Sequence, residues 1–388
     1  MEMNQDYDPL ASVQAAGPPG TISLVYGLPD PATFPANDLR RAVDQVLQER
    51  PYLALQYGPE QGYGPLIDYL RTKFAREENL VVERPYIMST GGSAQALDHI
   101  CSIFTRPGDL VLVEAPTYHE SLMLLRDHGL RLLQVPMDED GLIIEALAER
   151  LEKLAWRGER ARLLYVIPNF QNPTGSSLAL DRRREVLSLA EQYDLLIVED
   201  DVYRDLVYEG QVPRSLFALD GGRRVLRIGS FSKILAPGLR MGWLLGPAGL
   251  IERLIGSGYR CMGGGANPLV ANMLAVYCQQ GLLEPHIQSL RSVYCERRDA
   301  MLAALEAHMP SGVSWTRPKG GVFVWLTLPS PFRATEVVQQ ARQANLMVLG
   351  GDPFFAEVPT GQHLRLAFSY VTPPKIWEGI EILGRILS

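Results

Sequence analysis

The sequence predicts an α/β protein with a large domain around a mainly parallel, helix-covered sheet and a smaller α+β domain beside it. Three observations carry this reading. Strand-like and helix-like segments alternate through the middle of the chain, as in parallel strands joined by crossover helices. The strand-like runs show little polar alternation, as expected of strands covered on both faces. From about Pro268 the alternation gives way to long helices and then strands. At 388 residues the chain also exceeds the size at which one core usually stops growing.

Taken in order, "RPYIMST" reads as a strand and "SAQALDHICSIF" as a helix, followed by the strand "DLVLVEAP" and the helix "ESLMLLRDHG", closed by glycine. "ARLLYVIP" is a strand, and "LDRRREVLSLAEQYD" an amphipathic helix with Val186, Leu189 and Ala190 on one face. "LLIVED" and "RVLRIGS" complete the run of strands. Beyond Pro268, "NPLVANMLAVYCQQG" and "EPHIQSLRSVYCERRDAMLAALEAHM" read as long helices, and "GGVFVWLTL", "ANLMVLGG" and "HLRLAFSY" as strands. The expected division is an N-terminal segment over residues 1–48, forming an arm and part of the small domain, a large domain over 49–283 and a small domain over 284–388.

Composition narrows the function classes. The chain is 46% hydrophobic and 21% charged, ordinary for a soluble globular protein. A net charge of -7 with no basic run or Cys/His finger spacing argues against nucleic acid as a partner. Cys101, Cys261, Cys278 and Cys295 are scattered, which fits buried free thiols in a reducing compartment better than a disulfide framework or a metal site. The acidic N-terminus lacks the basic start and apolar middle of a signal peptide, and no apolar stretch is long enough to span a bilayer. The expectation is a cytoplasmic protein with no membrane contact.

Ligands of parallel α/β sheets bind beyond the C-terminal ends of the strands, and the chemically useful residues collect there. "STGGSAQAL" places Gly91, Gly92 and Ser93 at the start of a helix, where free N–H groups suit a phosphate. "NFQNPTG" sets Asn172 in what is otherwise a tight-turn sequence. "EDDVY" ends a buried strand with Asp200, Asp201 and Tyr203, and "RVLRIGS" leads into Ser230, Ser232, Lys233 and Arg240. Each motif alone has an ordinary structural explanation. Together they meet the needs of pyridoxal 5′-phosphate: N–H groups, hydroxyls and an arginine for its phosphate, a carboxylate for its pyridine nitrogen, and a lysine amine for its aldehyde.

With these residues in view, the chain resembles the fold-type I pyridoxal-phosphate aminotransferases of class I/II. It is similar to the branch holding the aminoadipate/kynurenine aminotransferases and the aminotransferase-like domains of MocR-type regulators. The resemblance runs from "YGLPDPATFP" through "LQYGPEQGYGPL", "NPTG", "EDDVY" and "SFSKILAPGLRMGW" to "HLRLAFS". It implies that Lys233 forms the internal aldimine, that Asp200 pairs with the pyridine nitrogen, and that Tyr203 and Asn172 bond the ring oxygen. Tyr118 falls where the family stacks an aromatic ring on the cofactor, and Ser93, Ala94, Ser230, Ser232 and Arg240 fall in the phosphate cup. Arg365 matches the clamp for the substrate α-carboxylate, and Gly27 and Asn172 join it in the substrate site. Tyr57 matches a tyrosine that crosses a homodimer interface to the neighbour's phosphate. Ala94 departs from the branch, which tends to carry Gln there, so a side-chain contact is lost while a backbone N–H contact survives.

The implied reaction moves an amino group from an L-amino acid to a 2-oxo acid. The donor expected is bulky aliphatic, aromatic or 2-aminoadipate-like, and the acceptor 2-oxoglutarate. Tyr26, Tyr118, Phe354 and Phe355 are candidate apolar walls or, equally, core packing. The glycines Gly263–Gly265 form either a mobile loop near the site or a simple connection. Two other readings stand beside this one. A pyridoxal-phosphate lyase or decarboxylase would share the lysine, the aspartate and the cup. An effector-binding regulatory module would need a winged-helix domain, and only a short acidic segment precedes "YGLPDPATFP".

Overall fold

The fold is that of a computed structural model, which describes residues 20–388. The sequence features read in residues 1–19, including most of the expected arm, lie outside the described residues. An eight-stranded sheet forms the centre. Its strands run, edge to edge, Ile87–Thr90, Gly242–Leu245, Val225–Ser230, Leu196–Asp200, Ala161–Val166, Leu110–Ala115, Arg131–Asp138 and Gly141–Leu142. From Val225–Ser230 to Arg131–Asp138 the neighbours are parallel. Every residue of Ile87–Thr90, Val225–Ser230 and Gly242–Leu245 is buried, which is why these runs carry no polar alternation.

The strand Gly242–Leu245 was not legible as a separate element. It pairs antiparallel with both Val225–Ser230 and Ile87–Thr90, so the sheet is mixed at this edge. The reversal is made by the short turn Pro237–Leu239, closed by Arg240 at φ +46. The antiparallel insertion leaves Ile87–Thr90 running in the direction of the parallel strands. Its C-terminal end therefore meets theirs at one edge of the sheet.

Helices begin where the sequence supplies suitable ends. Ser93–Phe104 starts after Gly92, whose φ of +97 only glycine adopts readily. Pro268–Gln279 has proline at its first position, and the Asn267 side chain accepts from Val270 N–H. Leu180–Gln192 buries Val186 and Ala190, with Leu189 half-buried beside them.

A second sheet of four antiparallel strands holds Ser314–Trp315, Phe323–Leu328, Gln362–Ala367 and Leu349–Gly350, in that order. The helices Leu283–His308 and Pro373–Leu387 pack against each other beside it. The N-terminal strand Ile22–Ser23 pairs with Leu346–Met347, and Ala367 N–H donates to Leu24 O. This draws residues 22–28 across to the C-terminal sheet and over the central one.

One sequence expectation is corrected, and one left open is given a form. Of the four cysteines, all free, Cys101 and Cys278 are buried, but Cys261 is exposed at the end of a short surface helix and Cys295 is half-buried on an outer face of Leu283–His308. The Gly263–Gly265 stretch is a defined turn: Gly263 N–H donates to Arg260 O and Gly264 N–H to Tyr259 O, both at about 3 Å. A Cβ at Gly264 would sit 2.4 Å from Tyr259 O, so the residue type is fixed by packing.

Under the strand ends lies a buried ionic cluster. Arg227 bonds Glu78 at 2.7 Å and Asp201 at 2.8 Å, and Arg204 bonds Glu78 at 3.2 Å. Asn169 Nδ2 donates to the other oxygen of Asp201, and Arg183 donates to Asn169. Burial opposes the charge of Glu78, but Arg227 and Arg204 outweigh it and hold the carboxyl at about 2. Removing Arg227 leaves the buried Glu78 and Asp201 to share Arg204 alone, so Arg227→Ala should lose about 3 kcal/mol in urea titrations. Because the Glu78 value is depressed, its stabilising contribution is complete above its ordinary titration range and disappears as pH falls towards 2. Thermal melts at pH 5 and pH 3 should show a larger acid loss in wild type than in Glu78→Gln.

Candidate active site

At the common strand edge a cavity of about 160 Å³ opens between the two sheets. Tyr118, Asn172, Tyr203 and Lys233 line it from the loops after four central strands, and Phe323 and Arg365 line it from the four-stranded sheet. Tyr26, Gly27 and Leu28 close it from the N-terminal segment, and Glu120 stands at its wall. Residues far apart in sequence thus reach one small volume.

Lys233 follows Val225–Ser230 by three residues and donates from Nζ to Gly27 O at 2.9 Å. Its Nζ lies 6.0 Å from the centre of the Tyr203 ring. Burial, and then the Arg365 guanidinium nearby, push the amine down to about 8. Gly27 admits no side chain here, because a Cβ would sit 2.4 Å from the Phe323 ring.

The two aspartates of "EDDVY" part company. Asp201 turns into the ionic cluster. Asp200 turns the other way, where its Oδ2 accepts from Tyr165 Oη at 2.7 Å and its Oδ1 is buried without a hydrogen-bond partner. Burial pushes its carboxyl up to about 6 despite the Tyr165 hydrogen bond, and the charge of Asp201 adds to the rise. Glu199, third of the acids, caps the helix Leu216–Asp220 by accepting from Leu216 and Phe217 N–H.

Arg365 is 4% exposed and forms no ion pair among the described residues. Its guanidinium lies between the rings of Phe323 and Phe354, 4.3 and 4.8 Å from their centres. Nη2 donates to Val25 O at 2.7 Å, Nη1 donates to Asn172 Oδ1 at 2.9 Å, and Nε is buried without a partner. Burial pulls this cation down to about 10. A buried guanidinium whose hydrogen bonds go to neutral oxygens has the chemistry to take an anion.

Arg240 also acts on Lys233 and helps lower its amine, although neither it nor Ser93, Ala94, Ser230 or Ser232 lines the cavity. Gly92 leads into Ser93 and Ala94 at the start of their helix, and Arg240 Nη2 donates to Gly91 O at 3.3 Å. A Cβ on Gly92 would lie 2.7 Å from Arg240 Nη2 and would push that guanidinium aside, and the φ of +97 at this position itself favours glycine. Ser230 Oγ accepts from Ser232 N–H and bonds Ser232 Oγ at 2.9 Å.

Tyr57 stands apart from this cavity. It is 81% exposed, packs against Gly263 and lines a different, surface cavity with Arg260 and Pro268. The Gly263–Gly265 turn belongs to that second cavity too. Of the candidate walls, Tyr26 and Tyr118 line the site, Phe354 supports Arg365 from behind, and Phe355 packs with Trp325 and His363 in the core. Sequence reasoning missed Glu120, Phe323, Tyr165 and Ser121. "TYHESL" and "GGVFVWL" hold three of these, but no spacing rule marks them.

The lysine, the half-committed aspartate and the glycine cradle are the groups a pyridoxal-phosphate enzyme of fold type I requires. The model of the aminotransferase class I and II family matches residues 29–383, and the chain belongs to that family. It is 38% identical to aromatic-amino-acid aminotransferase 1 of Thermococcus litoralis, over 95% of this chain and 88% of the relative. The crystal structure of Pyrococcus horikoshii kynurenine aminotransferase superposes with a TM-score of 0.91 at 36% identity, covering 98% of this chain and 96% of that one. The α-aminoadipate aminotransferase of Thermus thermophilus, solved with N-(5′-phosphopyridoxyl)-L-leucine, gives a TM-score of 0.86 at 35% identity, covering 98% and 97%. The protein is a transaminase that depends on pyridoxal phosphate and acts on amino acids and 2-oxo acids. Its residues fit the cofactor: the unpartnered Oδ1 of buried Asp200 suits a protonated ring nitrogen, and the Gly92 cradle suits a phosphate.

Two outcomes follow from this geometry. Gly92→Ala should weaken pyridoxal phosphate binding by about ten- to hundredfold, from backbone strain and the clash with Arg240, measured by titrating apoprotein. Reductive methylation of Lys233 in the apoprotein should rise with pH around a midpoint of about 8 and move upward in Arg365→Leu, where a neighbouring cation is gone. A wild-type midpoint at the ordinary lysine value would contradict the burial of this amine.

Proposed function

We propose that the protein transfers the amino group of an aromatic, bulky aliphatic or 2-aminoadipate-like L-amino acid to 2-oxoglutarate. The single observation that supports it most is the cavity that Lys233 shares with the buried guanidinium of Arg365, together with a second cationic site, the Gly92–Arg240 cradle, at the same edge of the sheet. One suits a substrate α-carboxylate and the other a cofactor phosphate. The aromatic walls and the names of the relatives support the donor class.

In this reading Lys233 is the attachment point, and Ser93, Ala94, Ser230, Ser232 and Arg240 hold the phosphate. Tyr118 would pack against the ring, and Asp200 would hold the ring nitrogen protonated. Tyr203 donates its hydroxyl to the ring oxygen. Asn172 does so through Nδ2, since its Oδ1 is taken by Arg365. When bound, pyridoxal phosphate supplies a protonated ring that takes up the electron pair left behind by the substrate α-proton.

Arg365 fixes the substrate carboxylate, with Gly27 and Asn172 shaping the space beside it, and so aims the Cα–H bond at Lys233. A free Lys233 amine then accepts that proton at Nζ and later returns it. The lowered Lys233 value favours the neutral amine this needs. Phe323 and Phe354 keep water from the guanidinium, which strengthens its hold on an anion.

We also propose a homodimer in which Tyr57 serves the neighbour's phosphate. The exposure of Tyr52, Leu55, Tyr57 and Met262 supports such an interface. The free thiols support a reducing, cytoplasmic setting. Among the described residues no helix is long and apolar enough to cross a membrane.

The test is to follow the visible spectrum of the purified holoprotein as single amino acids are added, then 2-oxoglutarate. Bleaching by an aromatic donor and recovery with 2-oxoglutarate, with both products in equal amount, is expected. Release of ammonia or carbon dioxide with the oxo acid unconsumed would instead make it a lyase or decarboxylase. Lys233→Ala should abolish the cycle, and Arg365→Leu should raise KM for both substrates by about tenfold or more, the loss of a charged hydrogen-bonded pair.

A further inference from the structure

Tyr165 has no part in the roles given so far, yet it is fully buried and bonded to the most consequential carboxylate of the site. It lies on Ala161–Val166 directly opposite Val198 of the neighbouring strand. Asp200 is two residues further along on the same face, within diagonal reach of an aromatic side chain. The Tyr165 hydroxyl also lies 2.8 Å from Ser121 Oγ, on the helix that follows Tyr118.

The direction of these bonds is set by chemistry. A tyrosine has one hydroxyl proton, and an ionised carboxylate only accepts. The Tyr165 proton therefore points to Asp200 Oδ2, and Ser121 must donate to Tyr165. The result is a one-way chain, Ser121 to Tyr165 to Asp200, that satisfies Oδ2 and leaves Oδ1 as the uncommitted oxygen.

We propose that Tyr165, held by Ser121, is a positioning residue that keeps Asp200 ionised and oriented towards the ring nitrogen of the cofactor. This rests on the role given to Asp200 above. The Val202 backbone N–H also favours the charged form of Asp200, by less than Tyr165 does, and Tyr165→Phe leaves it in place. Asp201 and Glu114 oppose its charge, whereas Lys233 favours it, and Tyr118 and Tyr203 are themselves buried phenols beside it. Of these, Tyr165 is the one bonded to its carboxylate oxygen through a side chain.

The sign follows directly. Tyr165→Phe removes a donor that favours the charged form, so the Asp200 carboxyl titrates at higher pH. Below that pH it is neutral and loses its ionic hold on a protonated ring nitrogen.

The experiment titrates full-length protein, stripped of cofactor, with pyridoxal 5′-phosphate from pH 5.5 to 8.5. Tyr165→Phe, Ser121→Ala and Asp200→Asn are compared with wild type, each checked by thermal melting. Tyr165→Phe should move the acid limb of cofactor affinity up by about one pH unit, with near-normal affinity at pH 8.5. Ser121→Ala should move it in the same direction by less, and it carries the test if Tyr165→Phe does not fold. Asp200→Asn should bind weakly across the range, with no acid limb from this group. A Tyr165→Phe profile that overlays wild type, or one lowered by the same factor at every pH, overturns the proposal while the Asp200 reading stands. An Asp200→Asn profile that overlays wild type overturns the Asp200 reading itself.

Discussion

Two adjacent aspartates at the end of one buried strand carry the architecture of this site. Strand geometry sends Asp200 and Asp201 to opposite sides. The protein pairs one with Arg227 and leaves an oxygen of the other unpaired. A buried carboxylate oxygen without a partner is costly, and it is tolerated where something else supplies the cation. The ionic cluster of Glu78, Arg204 and Arg227 then acts as a foundation, since it fixes the strand end and absorbs the charge of Asp201.

The same logic is repeated with opposite sign at Arg365. Its guanidinium is buried between two rings and bonded to neutral oxygens, so it too awaits a counter-charge. Lys233 lies near both and is pushed towards its neutral form by burial and by the Arg365 cation. The pocket therefore holds its charged groups apart from natural partners, which is how transferable protons and bound carboxylates are made available.

Much of this was legible in the sequence. The apolar runs ending in Asp200 and Ser230 had to be covered strands, and the polar residues after them had to emerge at one edge. Gly92 announced a close approach, later seen as the contact with Arg240. What was hidden depends on register or on backbone reversal. Tyr165 and Asp200 are 35 residues apart and meet only because their strands pair Tyr165 with Val198. Gly242–Leu245 could not be separated from the preceding loop, because its antiparallel return hangs on Arg240 taking a left-handed φ. For Phe354 and Phe355 wall and core packing were equally open, because local sequence does not tell which way a side chain turns; Phe355 packs against Trp325.

In the proposed reading the loop after Val225–Ser230 presents Lys233 as the covalent anchor of the cofactor. Borohydride reduction of the holoprotein, followed by digestion and peptide mass spectrometry, tests it most directly. The account predicts a pyridoxyl group fixed on the peptide that carries Lys233. A label on another lysine, with Lys233 unmodified, would contradict it.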